Sequence, residues 1–228
     1  MEVEAELAEG SVAMREEHPW ERTWRLGLWK EASPPLPAVE EFCGYLSRSG
    51  LRRILDLGAG GGRHTLLMAK KGFQVVALDV SETALTALDR RMKEAMLQNV
   101  TLVNHDMSHL PFTDGYFDGV VATNVMHHGL ERDVKGVVRE VRRVMRSGGA
   151  GLFVVISDKD HRFRSGRKLE AKTYVFTSGE EKGIVHHFFG LSDFRTALKG
   201  FEIVKLWEEL QTVREEKRAH IFATVRKP

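Results

Sequence analysis

The reading of this chain turns on Ile54-Leu55-Asp56-Leu57-Gly58-Ala59-Gly60-Gly61-Gly62-Arg63-His64. A short apolar run with strand character passes directly into a glycine-rich turn, and Arg63 opens a segment with helical character. Glycines let a backbone turn sharply and approach a ligand with no Cβ in the way, while the helix N-terminus offers unpaired N–H groups to an anion. Asp79 follows the next apolar run, QVVAL, 21 positions after Gly58. A carboxylate there can accept hydrogen bonds from both hydroxyls of a ribose. Loop and acid together predict an adenosine-type site.

Outward from the loop, apolar runs alternate with amphipathic segments. ILDL, QVVAL, VTLVNHD, YFDGVVAT and GLFVVIS read as five strands. The segments 63–71, 81–98 and 131–146 read as helices, with Ser81 as an N-cap, and residues 147–149 read as a glycine turn before the fifth strand. FEIVKLW and HIFATV, separated by a charged turn at 215–218, predict an antiparallel hairpin. The pattern predicts an α/β Rossmann-like three-layer sandwich, with a mostly parallel seven-stranded sheet ending in a C-terminal hairpin. A chain of 228 residues suits one domain. We divide it into an N-terminal arm and cap (1–50), a core (51–157), an insertion expected to hold a short hairpin or flap (158–190), and a C-terminal helix and hairpin (191–228).

Composition narrows the class. Hydrophobic residues make up 42% and charged residues 29%, values of a packed globular chain rather than a disordered one. No apolar run is long enough to cross a bilayer and the acidic N-terminus is unlike a signal peptide, so a cytoplasmic protein without a membrane partner is expected. One cysteine, Cys43, excludes an intrachain disulfide and a CxxC site. Net charge of +2 gives no argument for nucleic acid. The cluster Arg162, Arg164, Arg167 and Lys168 reads by default as a solvated loop. Oligomeric state is not legible.

Details of the loop decide which nucleotide suits it. A dinucleotide fingerprint needs a third glycine where this chain has Arg63, and it does not usually carry an acid two residues before its first glycine; both points disfavour NAD. The sequence resembles the class I S-adenosylmethionine (SAM)-dependent methyltransferases, whose DxGxGxG motif is matched by Asp56, Gly58, Gly60 and Gly62. LPFTDGYFDGVVA and RRVMRSGGAGLFVV extend the resemblance. It implies SAM as cofactor and S-adenosylhomocysteine as product. It places Gly58, Ala59 and Gly60 along the methionine and ribose end, Asp56 near the ammonium and Arg63 near the carboxylate. It puts Asp79 and Val80 at the ribose, Asp106 and Met107 at the adenine, and Asn124 in a loop over the methionine moiety.

The acceptor is less legible, because SAM is an activated donor and the protein mainly aligns an acceptor and excludes water. No catalytic residue is assigned for that reason. Thr123-Asn124-Val125-Met126 is not the Asn-Pro-Pro-aromatic signature of base-amino methylation. Cys43 precedes the glycine loop, unlike the nucleophile of cytosine-C5 enzymes, and the paired glutamates of arginine methyltransferases are absent. These absences point to a small-molecule acceptor and away from nucleic acid. An RNA methyltransferase using the basic insertion, or a SAM-binding protein without activity, stand as alternatives. Trp20, Trp24, His127, His128, Tyr174, His186 and His187 are the candidate acceptor-pocket residues, with segments 19–31 and 158–190 as candidate lids. His127 or His128 could act as a base. The two histidine pairs match no standard ligand spacing, so no metal is expected.

Overall fold

Residues 17–28, 33–213 and 215–228 are described by the computed structural model. Expectations for residues 1–16 of the arm and for 29–31 of the first candidate lid lie outside the described residues. The element order is α1 (Pro19–Arg25), α2 (Pro37–Arg48), β1 (Arg53–Leu57), α3 (Arg63–Lys70), β2 (Gln74–Asp79), α4 (Glu82–Glu94), β3 (Val100–Asn104), β4 (Phe117–Thr123), α5 (Glu131–Val144), β5 (Met145–Ile156), β6 (Arg167–Glu170), β7 (Thr173–Val175), β8 (Val185–His187), α6 (Leu191–Ala197), β9 (Glu202–Val213) and β10 (Glu216–Arg226).

The main sheet has seven strands in the order β3-β2-β1-β4-β5-β10-β9. The first five pair in parallel, and β10 runs antiparallel to β5 and to β9. Alternation along β1 sends side chains to opposite faces. Leu55 and Leu57 join the core under α5 and α6, with Val134, Val137, Val141 and Phe194, whereas Ile54 joins Val39, Phe42, Leu46 and Met68 of α2 and α3. Leu85, Leu88 and Met92 bring α4 onto the latter face through Ala77. Three layers result, as the sequence pattern predicts. Cys43 is buried in this packing. Among the described residues no helix is long and apolar enough to cross a membrane.

Four boundaries differ from the expectation, each for a local reason. Helix α4 stops at Glu94 because Met96 takes a left-handed conformation (φ 52°) and Leu97 N–H turns back to Met92 O. Helix α5 stops at Val144, so 145–146 is strand rather than helix and 147–149 is strand rather than turn. There Met145 pairs with Phe117, Arg146 Nε donates to Asp118, and Lys227 exchanges backbone bonds with Gly148 and Gly149. The C-terminal turn is tighter than 215–218, because Glu216 still pairs with Val213 and Arg218 with Gln211. The 158–190 region contains a separate three-stranded antiparallel sheet, β6-β7-β8, rather than a two-stranded hairpin.

The glycine loop is held by close approach. Gly62, the N-cap of α3, has φ +81°, and a Cβ there would lie 2.1 Å from Leu88 Cδ1. Gly62→Ala is therefore expected to destabilise the fold by on the order of 3 kcal/mol, combining left-handed strain with overpacking against α4. A urea unfolding curve checks this, and an unchanged midpoint would contradict the packing described.

Candidate active site

A cleft of about 1120 Å³ opens beyond the C-terminal ends of β1, β2, β3 and β4. Gly58, Ala59, Gly60, Gly62, Arg63, Asp79, Val80, Asp106, Met107 and Asn124 all line it, together with Trp20, Trp24 and His128. The strands bring these residues together because each parallel crossover returns its loop to the same edge.

Asp79 organises the floor. Its Oδ2 accepts from Gly60 N (2.8 Å) and its Oδ1 from Ser81 N (2.9 Å), while Leu78 O accepts from Gly58 N and Ala59 N. Burial raises the Asp79 carboxyl above its ordinary range against the pull of these bonds. A carboxylate oxygen has two lone-pair positions, so both oxygens retain accepting capacity. Asp106 is exposed on the far wall, where its Oδ1 closes a turn by accepting from Ser108 N (2.7 Å). Asn124 is left-handed (φ 55°), and its Oδ1 is buried without a hydrogen-bond partner. Arg63 is partly desolvated, which lowers its pKa, and Asp56 acts against that shift.

Helix α1 roofs this floor. The Glu21 carboxylate accepts from Ser81 Oγ (2.6 Å), Thr83 N (3.2 Å) and Thr83 Oγ1 at the start of α4. On the other side Arg22 Nη2 donates to Lys182 O (2.7 Å) and Thr23 Oγ1 to Glu180 O (3.4 Å). The Trp24 ring lies over the loop, so close that a Cβ on Gly60 would come within 3.2 Å of it. Trp20 packs beside His128, ring centroids 4.9 Å apart.

With cleft, loop and acids in place, the comparisons with known proteins become informative. Residues 54–149 match the family model of the methyltransferase domain. The chain is 33% identical over 132 residues to the methyltransferase GfsG of Streptomyces halstedii, covering 54% of this chain and 47% of that one. The chain spans about half the length of the curated relatives it matches. Among solved structures it is similar to a SAM-dependent methyltransferase from Methanosarcina mazei, with a TM-score of 0.72, 21% identity, and coverage of 86% of this chain and 99% of that one. It is also similar to 1,6-didemethyltoxoflavin-N1-methyltransferase from Burkholderia thailandensis, solved with 1,6-didemethyltoxoflavin and S-adenosylhomocysteine bound. There the TM-score is 0.61 and identity 19%, with 84% and 78% of the two chains covered. The likeness to the methyltransferase domain covers residues 54–149, the segment that holds the glycine loop, Asp79, Asp106 and Asn124.

Several residues sit elsewhere than the sequence suggests. Asp56 does not line the cleft. It shares the Ile54 face of β1 and points beneath the loop, where its Oδ2 accepts from Thr65 Oγ1 (2.6 Å). Tyr174 packs into a satellite core with Phe163, Phe176 and Phe188. His187 bonds to Thr173 Oγ1 (2.7 Å) and faces a separate cavity of about 290 Å³. His127 is buried, its Nδ1 accepting from Ile156 N (3.3 Å). His186 is buried and stacks on Phe176. The spacing argument against a histidine cluster fails, because the turn after β4 and β8 bring His127, His128 and His186 together. Arg162 is not a solvated loop residue: it pairs with buried Asp160 (2.8 Å), which in turn accepts from Ala219 N.

Sequence reasoning missed Glu21, Thr65 and His64. His64 Nε2 accepts from Leu36 N (3.2 Å) while its Nδ1 lies 3.1 Å from Thr123 Oγ1, tying the entry of α2 to the end of β4. Burial, helped by nearby Arg63, lowers its pKa to about 3, so it stays neutral. Glu21 and His64 act through partners far along the chain, and Thr65 through Asp56 across the glycine loop, so no periodicity or turn signal marks any of the three.

Asp56 yields a pH prediction. Burial raises its carboxyl from 3.8 to about 6, with the Thr65 bond and Arg63 opposing that shift. The folded pKa exceeds the unfolded one, so the stability this group contributes is complete below pH 3.8 and is lost as pH rises through 6. Asp56→Asn removes the ionisable group and keeps an acceptor for Thr65. Relative to the parent it is expected to gain up to about 3 kcal/mol above that window and little below it. Paired melting curves at pH 4 and pH 8 check the difference, and equal shifts at both pH values would refute it.

Proposed function

We propose that this chain transfers a methyl group from SAM to a small-molecule acceptor held in a closed pocket between α1 and the segment 176–186. The observation that carries this reading is the roof. A seven-residue helix is tied to α4 through Glu21 and to the insertion through Arg22 and Thr23, across the glycine loop. A cleft of about 1120 Å³ lies at the upper end of ligand-site sizes, which suits a cofactor with an acceptor beside it.

In this reading Asp79 takes the ribose hydroxyls and Val80 packs at their side. Asp106 and Met107 N–H take the edge of the adenine, and the glycine loop faces the methionine end. The buried, partnerless Asn124 Oδ1 suits an ammonium, and the desolvated Arg63 suits a carboxylate. Asp56 acts from beneath the loop: a cationic ligand above it favours its ionised form. Bound there, SAM supplies an electrophilic methyl group. The protein's own part is to align the acceptor's lone pair and keep water out, which Trp20 and Trp24 do from above.

The basic insertion speaks against an RNA acceptor. Arg162 is consumed by Asp160 and by Glu181 (3.6 Å), leaving Arg164, Arg167 and Lys168 as the exposed cations of that cluster. Because Trp24 covers Gly60, the roof contributes in this reading to the cofactor site as well as to the acceptor pocket.

Calorimetry is expected to show binding of SAM and S-adenosylhomocysteine and none of NAD. Asp79→Ala should weaken SAM binding by about 1–3 kcal/mol, the cost of hydroxyls left without a charged acceptor. Labelled SAM incubated with a metabolite extract should mark a small molecule, and Arg164→Glu with Arg167→Glu should leave that turnover intact. Loss of turnover in that double variant, with RNA binding that falls steeply with salt, would replace this reading by the RNA one.

A further inference from the structure

Three imidazoles meet at the acceptor end of the cleft, and their environment is unusual. His127 and His128 follow β4, His186 lies in β8, and one ring nitrogen of each lies within 4.8 Å of the others. Backbone bonds hold the two segments in register: His187 N–H donates to His127 O (2.8 Å) and Gly129 N–H to Val185 O (3.2 Å). His128 and His186 each have a buried Nδ1 with no hydrogen-bond partner. A buried polar atom left unpaired is costly, and a ligand removes that cost. Glu181 stands behind His186, its Oε2 3.1 Å from His186 Nε2.

We propose that His127, His128 and His186 bind a divalent first-row transition-metal ion, with Glu181 orienting His186 from outside the coordination sphere. An all-imidazole donor set suits zinc, cobalt, nickel or copper rather than magnesium or calcium. Metal–nitrogen bonds of about 2.0–2.1 Å require the donor atoms to close to roughly 3.3 Å, a rearrangement of side chains and not of backbone. His127 is the weakest donor, because coordination must displace its long bond from Ile156 N (3.3 Å). The carboxylate beside His186 matches the outer support that ligating histidines usually have.

Three protein ligands leave a tetrahedral ion one open position, and because His128 lines the cleft, an ion held there would lie within reach of a ligand in it. There the ion would hold an oxygen, nitrogen or sulfur atom of the acceptor. This last role rests on the methyl-transfer reading, whereas the metal site itself does not.

The test uses the untagged full chain, stripped with a chelator and titrated with zinc against a chromophoric competitor, and with cobalt while visible absorption is followed. One equivalent is expected to bind, with cobalt bands of a four-coordinate nitrogen site. His128→Asn and His186→Gln should each weaken binding at least tenfold, and Glu181→Gln about tenfold to a hundredfold. His187→Asn, outside the cluster, should not. Absence of stoichiometric binding, or equal binding by the His128 and His186 variants, overturns the proposal. S-adenosylhomocysteine titration of the same proteins reports on folding and on the cofactor site separately, so a failed metal site and a failed methyltransferase reading give different results.

Discussion

The carboxylate of Asp79 is the constraint on which the binding end depends. It lies at the tip of β2, largely buried, with one oxygen on the glycine loop and the other on the turn into α4. Burying a charge is costly unless hydrogen bonds compensate, and here two backbone N–H groups do so. The loop must therefore pass within bonding distance of β2. That passage requires positive φ at Gly58 and Gly62 and leaves no room for a Cβ against Val125 or Leu88. The glycines in the sequence are thus a consequence of where the acid is held.

The roof follows from the floor. A helix of one or two turns has little stability of its own, so α1 persists only through what it touches. Its contacts are Glu21 on Ser81 and Thr83, Trp24 over Gly60, and Arg22 and Thr23 on the 180–182 carbonyls. The first two of these rest on segments that Asp79 positions. A ligand in the cleft that stiffens the glycine loop thereby also stiffens the roof, and floor and roof share one set of supports. Lid and cofactor site are not separable parts, although the sequence shows them as distant segments.

This explains what could be read in advance. The β–α alternation, the glycine loop, Asp79 and the terminal hairpin are local patterns of period, turn chemistry and spacing, and the fold has them. The residues that line the cleft from successive strand ends were legible for the same reason, since parallel crossovers deliver those ends to one edge. Contacts between segments far apart in sequence were not legible. Asp56 was placed at the ligand by motif, but the alternation of β1 sends it under the loop to Thr65. Tyr174 joins a small core that exists only because 158–190 folds into its own sheet. Arg162 reads as one cation in a basic run, yet it pairs with both Asp160 and Glu181. Spacing alone could not bring His186 to His128 across nearly sixty residues.

The distribution of unsatisfied polar atoms separates the structural part of the molecule from the part arranged for something else. Among the described residues, the buried side-chain atoms without a hydrogen-bond partner are Arg22 Nε, Asn124 Oδ1, His128 Nδ1 and His186 Nδ1, with Glu181 Oε2 held only by ion-pair contacts to His186 and Arg162. Each such atom costs about 1–3 kcal/mol, a large fraction of a domain's net stability. A sequence shaped for stability alone would pair them or replace them with apolar groups. Asn124 and His128 line the cleft, Glu181 and His186 stand directly behind His128, and Arg22 belongs to the roof. The beginning of the glycine loop, by contrast, is satisfied by Leu78 and Asp79. The imbalance therefore lies on the side of the cleft formed by Asn124, His128 and the residues behind them, where a ligand can supply the missing partners, and not at the floor around Asp79, whose hydrogen bonds are complete within the protein.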